Sequence, residues 1–116
     1  MRLADITIRT DGDATVATVT GEVDMSNAPE VQSALADGTP NDASGLIIDL
    51  TELDYLDSSG IQLLFKLQAA LRARSQGLVL VVPDSSVVKD TFRLAGVTTR
   101  IPLVEDLEQA LESVEA

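Results

Sequence analysis

Two short, continuously apolar segments constrain the fold of this chain more than any other feature. They run from Gly45 to Leu50 and from Leu78 to Val82, and Pro83 ends the second one. A strand without alternating polar residues is typical of a sheet interior that is buried on both faces. Both segments are strand-sized and far too short to span a membrane. They therefore predict two central strands of a covered sheet.

Further strands are predicted on either side of these two segments. Ile6 to Arg9 and Thr15 to Thr20 flank the polar turn Asp11-Gly12, which is a strong signal for a hairpin. A last short strand is predicted at Arg100-Ile101. The stretch between Leu50 and Ser58 is predicted to be an acidic loop.

Four helices are predicted from apolar residues that recur at helical spacing. The first begins after Asn27, which fits a capping box with Glu30 three residues later. The second begins at Ser58, and the third is predicted to be capped by Asp84 or Ser85. The fourth is acidic and amphipathic, with an apolar stripe formed by Leu107, Ala110, Leu111 and Val114.

The order of these elements defines the fold class. Two strands precede an alternation of strands and helices, which indicates a mixed sheet with helices packed on it. The 116 residues suffice for one compact core and are too few for two. We therefore predict one α/β domain over residues 1–116, with a four- to five-stranded sheet and about four helices. A monomer is expected.

Composition excludes most kinds of catalytic site. The chain contains neither cysteine nor histidine, which removes disulfides, thiol catalysis, histidine-ligated metals and the usual general base. It also lacks the glycine-rich phosphate loops of nucleotide-binding proteins. We expect no enzymatic activity, no metal site and no cofactor bound by this chain. The first residues lack the apolar stretch of a signal peptide, so a cytoplasmic location is expected.

The charge of the chain limits its partners. A net charge of −11 argues against nucleic acid and against anionic membranes. Residues 1–57 contain 12 acidic side chains against Arg2 and Arg9, whereas residues 58–116 are nearly balanced. This acidity is either a solvated surface that confers solubility or a means of steering toward a basic protein surface, and composition leaves both open.

A pair of serines stands at the start of the second predicted helix. The motif Asp57-Ser58-Ser59-Gly60 places a hydroxyl where unpaired N–H groups and the helix dipole favour a phosphate. If Ser58 is the N-cap, the N–H groups of Gly60 and Ile61 point at its oxygen. The alternative is that these residues only cap the helix. A glycine in the first turn costs about 1 kcal/mol relative to alanine, which favours a tight turn or room for a partner.

Three blocks of sequence resemble the anti-sigma-factor antagonists, small proteins made of a single STAS domain. The blocks are Gly21-Glu22-Val23-Asp24 with Ala28-Pro29, Leu56 to Gly60, and Phe92 to Val97. They occur in order and at the family's spacing over essentially the whole chain. The resemblance implies the STAS fold.

The resemblance also implies a partner-switching function. In that family the unphosphorylated antagonist binds an anti-sigma factor and so frees a sigma factor for transcription. The anti-sigma factor is also an ATP-dependent serine kinase of the antagonist, so ATP and Mg²⁺ belong to the partner, and a serine phosphatase reverses the modification. The implied acceptor is Ser58. The residues implied for partner contact are Asp24, Asp57, Ser59, Gly60 and Gln62, the last of which replaces a glycine found in many relatives.

Two other functions are compatible with an α/β fold. A response-regulator receiver would use Asp57, but the first strand here leads into another strand, and Pro102 stands where a lysine is needed. That function is rejected. An unphosphorylated STAS scaffold, or a docking subunit of a larger complex, would use the same loop and helix as a static contact face, and the sequence leaves it open.

Overall fold

The computed structural model describes residues 4–115, and within that range it has six strands, four α-helices and one 3-10 helix. In chain order these are β1 (Asp5–Asp11), β2 (Ala14–Val23), α1 (Ala28–Asp37), β3 (Gly45–Asp49), β4 (Leu53–Leu56), α2 (Ser58–Ala73), β5 (Gly77–Val81), α3 (Lys89–Leu94), the 3-10 helix (Val97–Thr99), β6 (Leu103–Val104) and α4 (Leu107–Glu115). The predicted α/β class and the mixed sheet are confirmed.

The sheet is antiparallel at one edge and parallel elsewhere. Its order is β1-β2-β3-β5-β6, and β4 pairs with the far end of β2. The predicted hairpin joins β1 to β2 through Gly12, whose φ of 61° lies in the left-handed region that glycine tolerates. The strands β3 and β5 each have parallel neighbours on both sides, which explains why their residues are continuously apolar.

Helices cover both faces of the sheet and create two buried clusters. On one face, side chains such as Val19, Ile48 and Leu80 pack with α1, α2 and α3, and Phe92 of α3 is fully buried among them. On the other face, alternate residues of the same strands pack against α4, which contributes Ala110. The core is aliphatic apart from Phe92, and it holds the ends of β2 and β4 rigidly beneath α2.

The strand β4 was not expected from the sequence, which predicted an acidic loop at that place. It runs parallel to β2 beyond Gly21, where φ is 91° and the register of pairing shifts. Only Leu53 and Leu56 of β4 are buried, and the two residues between them are exposed, so the strand lacks the alternation that marks a half-buried strand. Its addition raises the sheet from the predicted four or five strands to six.

Two other local predictions were wrong. The predicted strand at Arg100-Ile101 follows the 3-10 helix, and the strand that pairs with β5 lies at Leu103–Val104 instead. The third helix begins at Lys89, so neither Asp84 nor Ser85 caps it. The Lys89 ammonium lies 3.3 Å from the Asp84 carboxylate and donates to the Val82 carbonyl, so an ion pair and a hydrogen bond join the start of α3 to the loop after β5.

Candidate functional site

The parallel pairing of β2 with β4 brings two of the sequence blocks together. Val23 is the register partner of Leu56. The residues that directly follow the two strands, Asp24 and Asp57, therefore lie at the same edge of the sheet. The Asp57 N–H donates to the Val23 carbonyl at 3.2 Å, which joins the two strand ends directly. The start of α2 is therefore held beside the loop that leads into α1.

Asp57, and not Ser58, is the N-cap of α2. Its Oδ1 atom accepts hydrogen bonds from the Ser59 N–H at 2.9 Å and from the Gly60 N–H at 3.3 Å. The expectation that Ser58 would receive such bonds is corrected, because Ser58 is the first residue inside the helix. Its side chain is exposed, and its hydroxyl has no hydrogen-bond partner among residues 4–115. The Ser58 hydroxyl therefore has no part in capping α2.

The glycine after the two serines is explained by packing within this chain. Gly60 is buried, and a Cβ atom there would lie 2.5 Å from the Leu56 Cγ atom. Real Cβ atoms do not approach other atoms so closely, so glycine lets the first turn of α2 rest on the end of β4. Of the two reasons expected for this glycine, a tight turn and room for a partner, the packing on Leu56 supports the tight turn.

The carboxylate of Asp24 is held in a local turn. Its Oδ1 atom accepts hydrogen bonds from the backbone N–H and from the hydroxyl of Ser26. These two bonds lower the pKa of Asp24 from its ordinary value of 3.8, and the bond from the hydroxyl has the larger effect. Asp24 therefore stays charged at neutral pH and, with Asp57, makes this edge of the sheet acidic.

Asn27 is a structural residue of the site that the sequence prediction assigned to another role. It occupies the N-cap position of α1 without making a side-chain cap, so the predicted capping box is absent. Its amide instead accepts from the Asp24 N–H at 2.9 Å and donates to the Glu22 carbonyl at 2.8 Å. Asn27 is only 5% exposed, and it locks the loop that carries Asp24. The available signal in the sequence was an asparagine close to an acidic motif.

Two grooves flank the first turns of α2. One, of about 550 Å³, lies between α2 and α3, and its lining includes Ser58 and Leu94. The other, of about 250 Å³, lies between α1 and α2, and its lining includes Ser59 and Met25. Gln62 lines both grooves, so its side chain stands on the ridge between them. The two adjacent serines therefore open onto different grooves, which the sequence did not predict.

Within residues 4–115, no group of three or more acidic side chains is arranged to hold a metal ion. No helix in the same range is long and apolar enough to cross a membrane.

Comparison with known proteins gives matches over nearly the whole chain. Residues 5–110 match the model of the STAS domain. An anti-sigma-B factor antagonist of Listeria monocytogenes is 34% identical over 87 residues, which cover 75% of this chain and 73% of that protein. A crystal structure of an anti-sigma factor antagonist from Mycobacterium paratuberculosis superimposes with a TM-score of 0.86 at 24% identity, covering 98% of this chain and 96% of that one. The Bacillus cell fate determinant SpoIIAA in its phosphorylated form superimposes with a TM-score of 0.60 at 19% identity, covering 95% and 99%.

Proposed function

This chain belongs to the anti-sigma-factor antagonist family of STAS domain proteins, and we propose that it is a phosphorylation-controlled antagonist of an anti-sigma factor. The unphosphorylated protein binds an anti-sigma factor that is also its serine kinase, and this binding frees a sigma factor for transcription. Phosphorylation of Ser58 releases the partner, and a serine phosphatase restores the active form. The chain itself is a cytoplasmic monomer without enzymatic activity, and ATP and Mg²⁺ are bound by the kinase.

The observation that carries this proposal is the position of Ser58. Its hydroxyl is exposed at the first position of α2 and is not used in capping, because Asp57 fills that role. A phosphate there would meet the positive end of the helix dipole without displacing a structural hydrogen bond. The phosphorylated form of a protein with the same fold supports the idea that this scaffold tolerates a phosphate.

The proposed contact face surrounds Ser58. It comprises Asp24, Asp57, Ser59, Gly60 and Gln62. Asp24 and Asp57 give the face a negative charge, which favours a basic surface on the anti-sigma factor. Gly60 takes part through its backbone, since it has no side chain and is buried.

The alternative function is an unphosphorylated STAS scaffold or docking subunit. Mass spectrometry of the protein purified from its own cells separates the two, because phosphate on Ser58 is expected only for the switch. A pull-down with the wild type and with Ser58→Glu identifies the partner, which only the wild type is expected to retain. A partner retained equally by both forms, together with an unmodified Ser58, would favour the scaffold.

Ser58, and not Ser59, is expected to be the phosphorylated residue. Ser58 is exposed, whereas the Ser59 side chain is partly buried and its N–H is bonded to the Asp57 cap. The assignment is tested by incubating each alanine variant with the captured kinase and ATP and measuring how much phosphate it takes up. Ser58→Ala should lose essentially all labelling and Ser59→Ala should keep most of it, while equal labelling of Ser58→Ala and wild type would refute the choice of Ser58.

Asp24→Asn is expected to weaken binding to the anti-sigma factor roughly threefold with little change in melting temperature. An asparagine oxygen still accepts the two bonds from Ser26, so the loop keeps its shape and only the charge is lost. Calorimetric titration and thermal melting separate the two effects. An unchanged affinity would remove the Asp24 charge from the contact face.

The same variant has an expected effect on pH dependence. Because folding lowers the pKa of Asp24 below 3.8, its ionised form adds stability that is present above that pH. The added stability is lost as the pH falls through the lowered pKa. Asp24→Asn should remove this part of the acid dependence, which melting curves measured at decreasing pH below about 5 would detect.

A further inference from the structure

We propose that the contact face consists of two half-sites, one in each groove beside α2, and that a phosphate on Ser58 closes only the half-site between α2 and α3. The inference rests on the proposed function and deepens it. It assigns two residues of this chain, Leu94 and Met25, as the apolar side chains that anchor the anti-sigma factor, one beside each groove.

The anchors are the most exposed large hydrophobic side chains among the described residues. Leu94 is 88% exposed and Met25 is 77% exposed. Each lines one of the two grooves that meet at Gln62. Val87 is similarly exposed, at 73%, but lies outside both grooves, beside Asp54 of β4. Exposed apolar side chains set beside a groove are typical anchors of a protein interface, where a few residues supply most of the binding energy.

The two half-sites differ in charge, which defines the chemistry of the partner. Asp57 lines the groove of Leu94, together with the apolar residues Ile61 and Phe65. Lys66 lines the groove of Met25. Charge complementarity therefore favours an anti-sigma factor that presents an apolar side chain beside a Lys or Arg to the first groove. The second groove favours an apolar side chain beside an Asp or Glu.

The position of Ser58 determines which half-site the phosphate affects. Ser58 lines only the groove of Leu94, and the Gln62 ridge separates it from the groove of Met25. A phosphate of charge near −2 placed beside Asp57 repels nearby carboxylates and fills the entrance of the first groove. The second groove keeps its lining and its charge. The modified protein therefore retains weak binding through Met25.

A double-mutant cycle tests this division, because residues that share a site give non-additive effects and residues in separate sites give additive ones. Leu94→Ser and Met25→Ser are each combined with unmodified Ser58 and with Ser58→Glu. Val87→Ser is the matched control, since it removes an equally exposed apolar side chain outside both grooves. Affinity is measured by calorimetric and NMR titration with the kinase captured by the wild type, and melting curves confirm that every variant is folded.

With Ser58 unmodified, Leu94→Ser and Met25→Ser should each weaken binding about fivefold, and Val87→Ser less than about twofold. In the Ser58→Glu background, Met25→Ser should still cost about fivefold and Leu94→Ser less than about twofold. Equal losses for both anchors in both backgrounds would overturn the division, as would no loss from either. The absence of detectable binding by Ser58→Glu at about millimolar partner would overturn it too, since a dissociation constant of about 1 mM is still measurable at that concentration.

The same measurements distinguish a failure of the proposed function from a failure of the two half-sites. If Ser58→Glu binds as tightly as the wild type, phosphorylation does not control the face, and both the switch and the gated half-site fail. If Ser58→Glu weakens binding but the two anchors behave like Val87→Ser, the switch stands and only the two-half-site inference fails.

Discussion

Phosphorylation of Ser58 is expected to lower the affinity for the anti-sigma factor at least tenfold, or by about 1.4 kcal/mol, while leaving the fold intact. The acceptor lies at the first position of α2, where the helix dipole favours a negative group. Asp57 keeps its two capping bonds in the unmodified protein and adds a neighbouring charge that would strengthen repulsion toward acidic partner groups. The phosphate thus acts by blocking the part of the face that surrounds Ser58.

Calorimetric titration of the phosphorylated and unmodified protein with the captured kinase measures this loss. Ser33→Glu is a suitable control, since it adds a negative charge to the exposed surface of α1 outside both grooves. That variant should bind within about twofold of the wild type. A loss in the control as large as that of the phosphoprotein would mean that net charge, and not the position of Ser58, weakens binding.

Backbone chemical shifts distinguish local blocking from rearrangement. Changes should be confined to residues 57–64, to the neighbouring segment 21–27, which the Asp57 N–H bond to Val23 joins to them, and to residues 91–95, which line the same groove as Ser58. A densely packed aliphatic core resists larger movements. Large shifts in α4, which packs on the opposite face of the sheet, would indicate a global change, and the blocking mechanism would have to be abandoned.

Asn27→Ala is expected to destabilise the protein by about 2–3 kcal/mol. The amide of Asn27 is 5% exposed and bonds both the Asp24 N–H and the Glu22 carbonyl. Alanine leaves these two backbone groups without partners in a largely buried place, and each such loss costs about 1–3 kcal/mol before relaxation. Urea unfolding followed by circular dichroism measures the change. The same variant should also weaken partner binding, because Asp24 loses its fixed position.

Asn27→Asp is the matched comparison for this site. Aspartate keeps an oxygen for the Asp24 N–H but loses the N–H that donates to the Glu22 carbonyl, and it buries a charge. It should therefore be at least as destabilising at neutral pH as alanine. A loss of less than about 0.5 kcal/mol for Asn27→Ala would show that the loop does not depend on this amide.

The sequence alone predicted the elements whose residues carry a periodic or continuous apolar pattern. These elements, which were predicted near their observed places, are the central strands β3 and β5 and the helices α1, α2 and α4. A helix that buries one stripe needs apolar residues at helical spacing, and a strand that is buried on both faces needs a continuous apolar run, so both patterns can be read from the local sequence. The family also followed from short-range blocks of sequence.

Only the tertiary structure decided how those blocks function together. β4 exists because a short segment with two buried leucines pairs with the end of β2, and such a long-range pairing leaves little local pattern. The roles of Asp57 as cap, Gly60 as a contact for Leu56 and Asn27 as a loop lock depend on distances between atoms of different elements. The grooves beside α2 likewise arise from the packing of helices distant in the chain, whose spacing is set by the whole core.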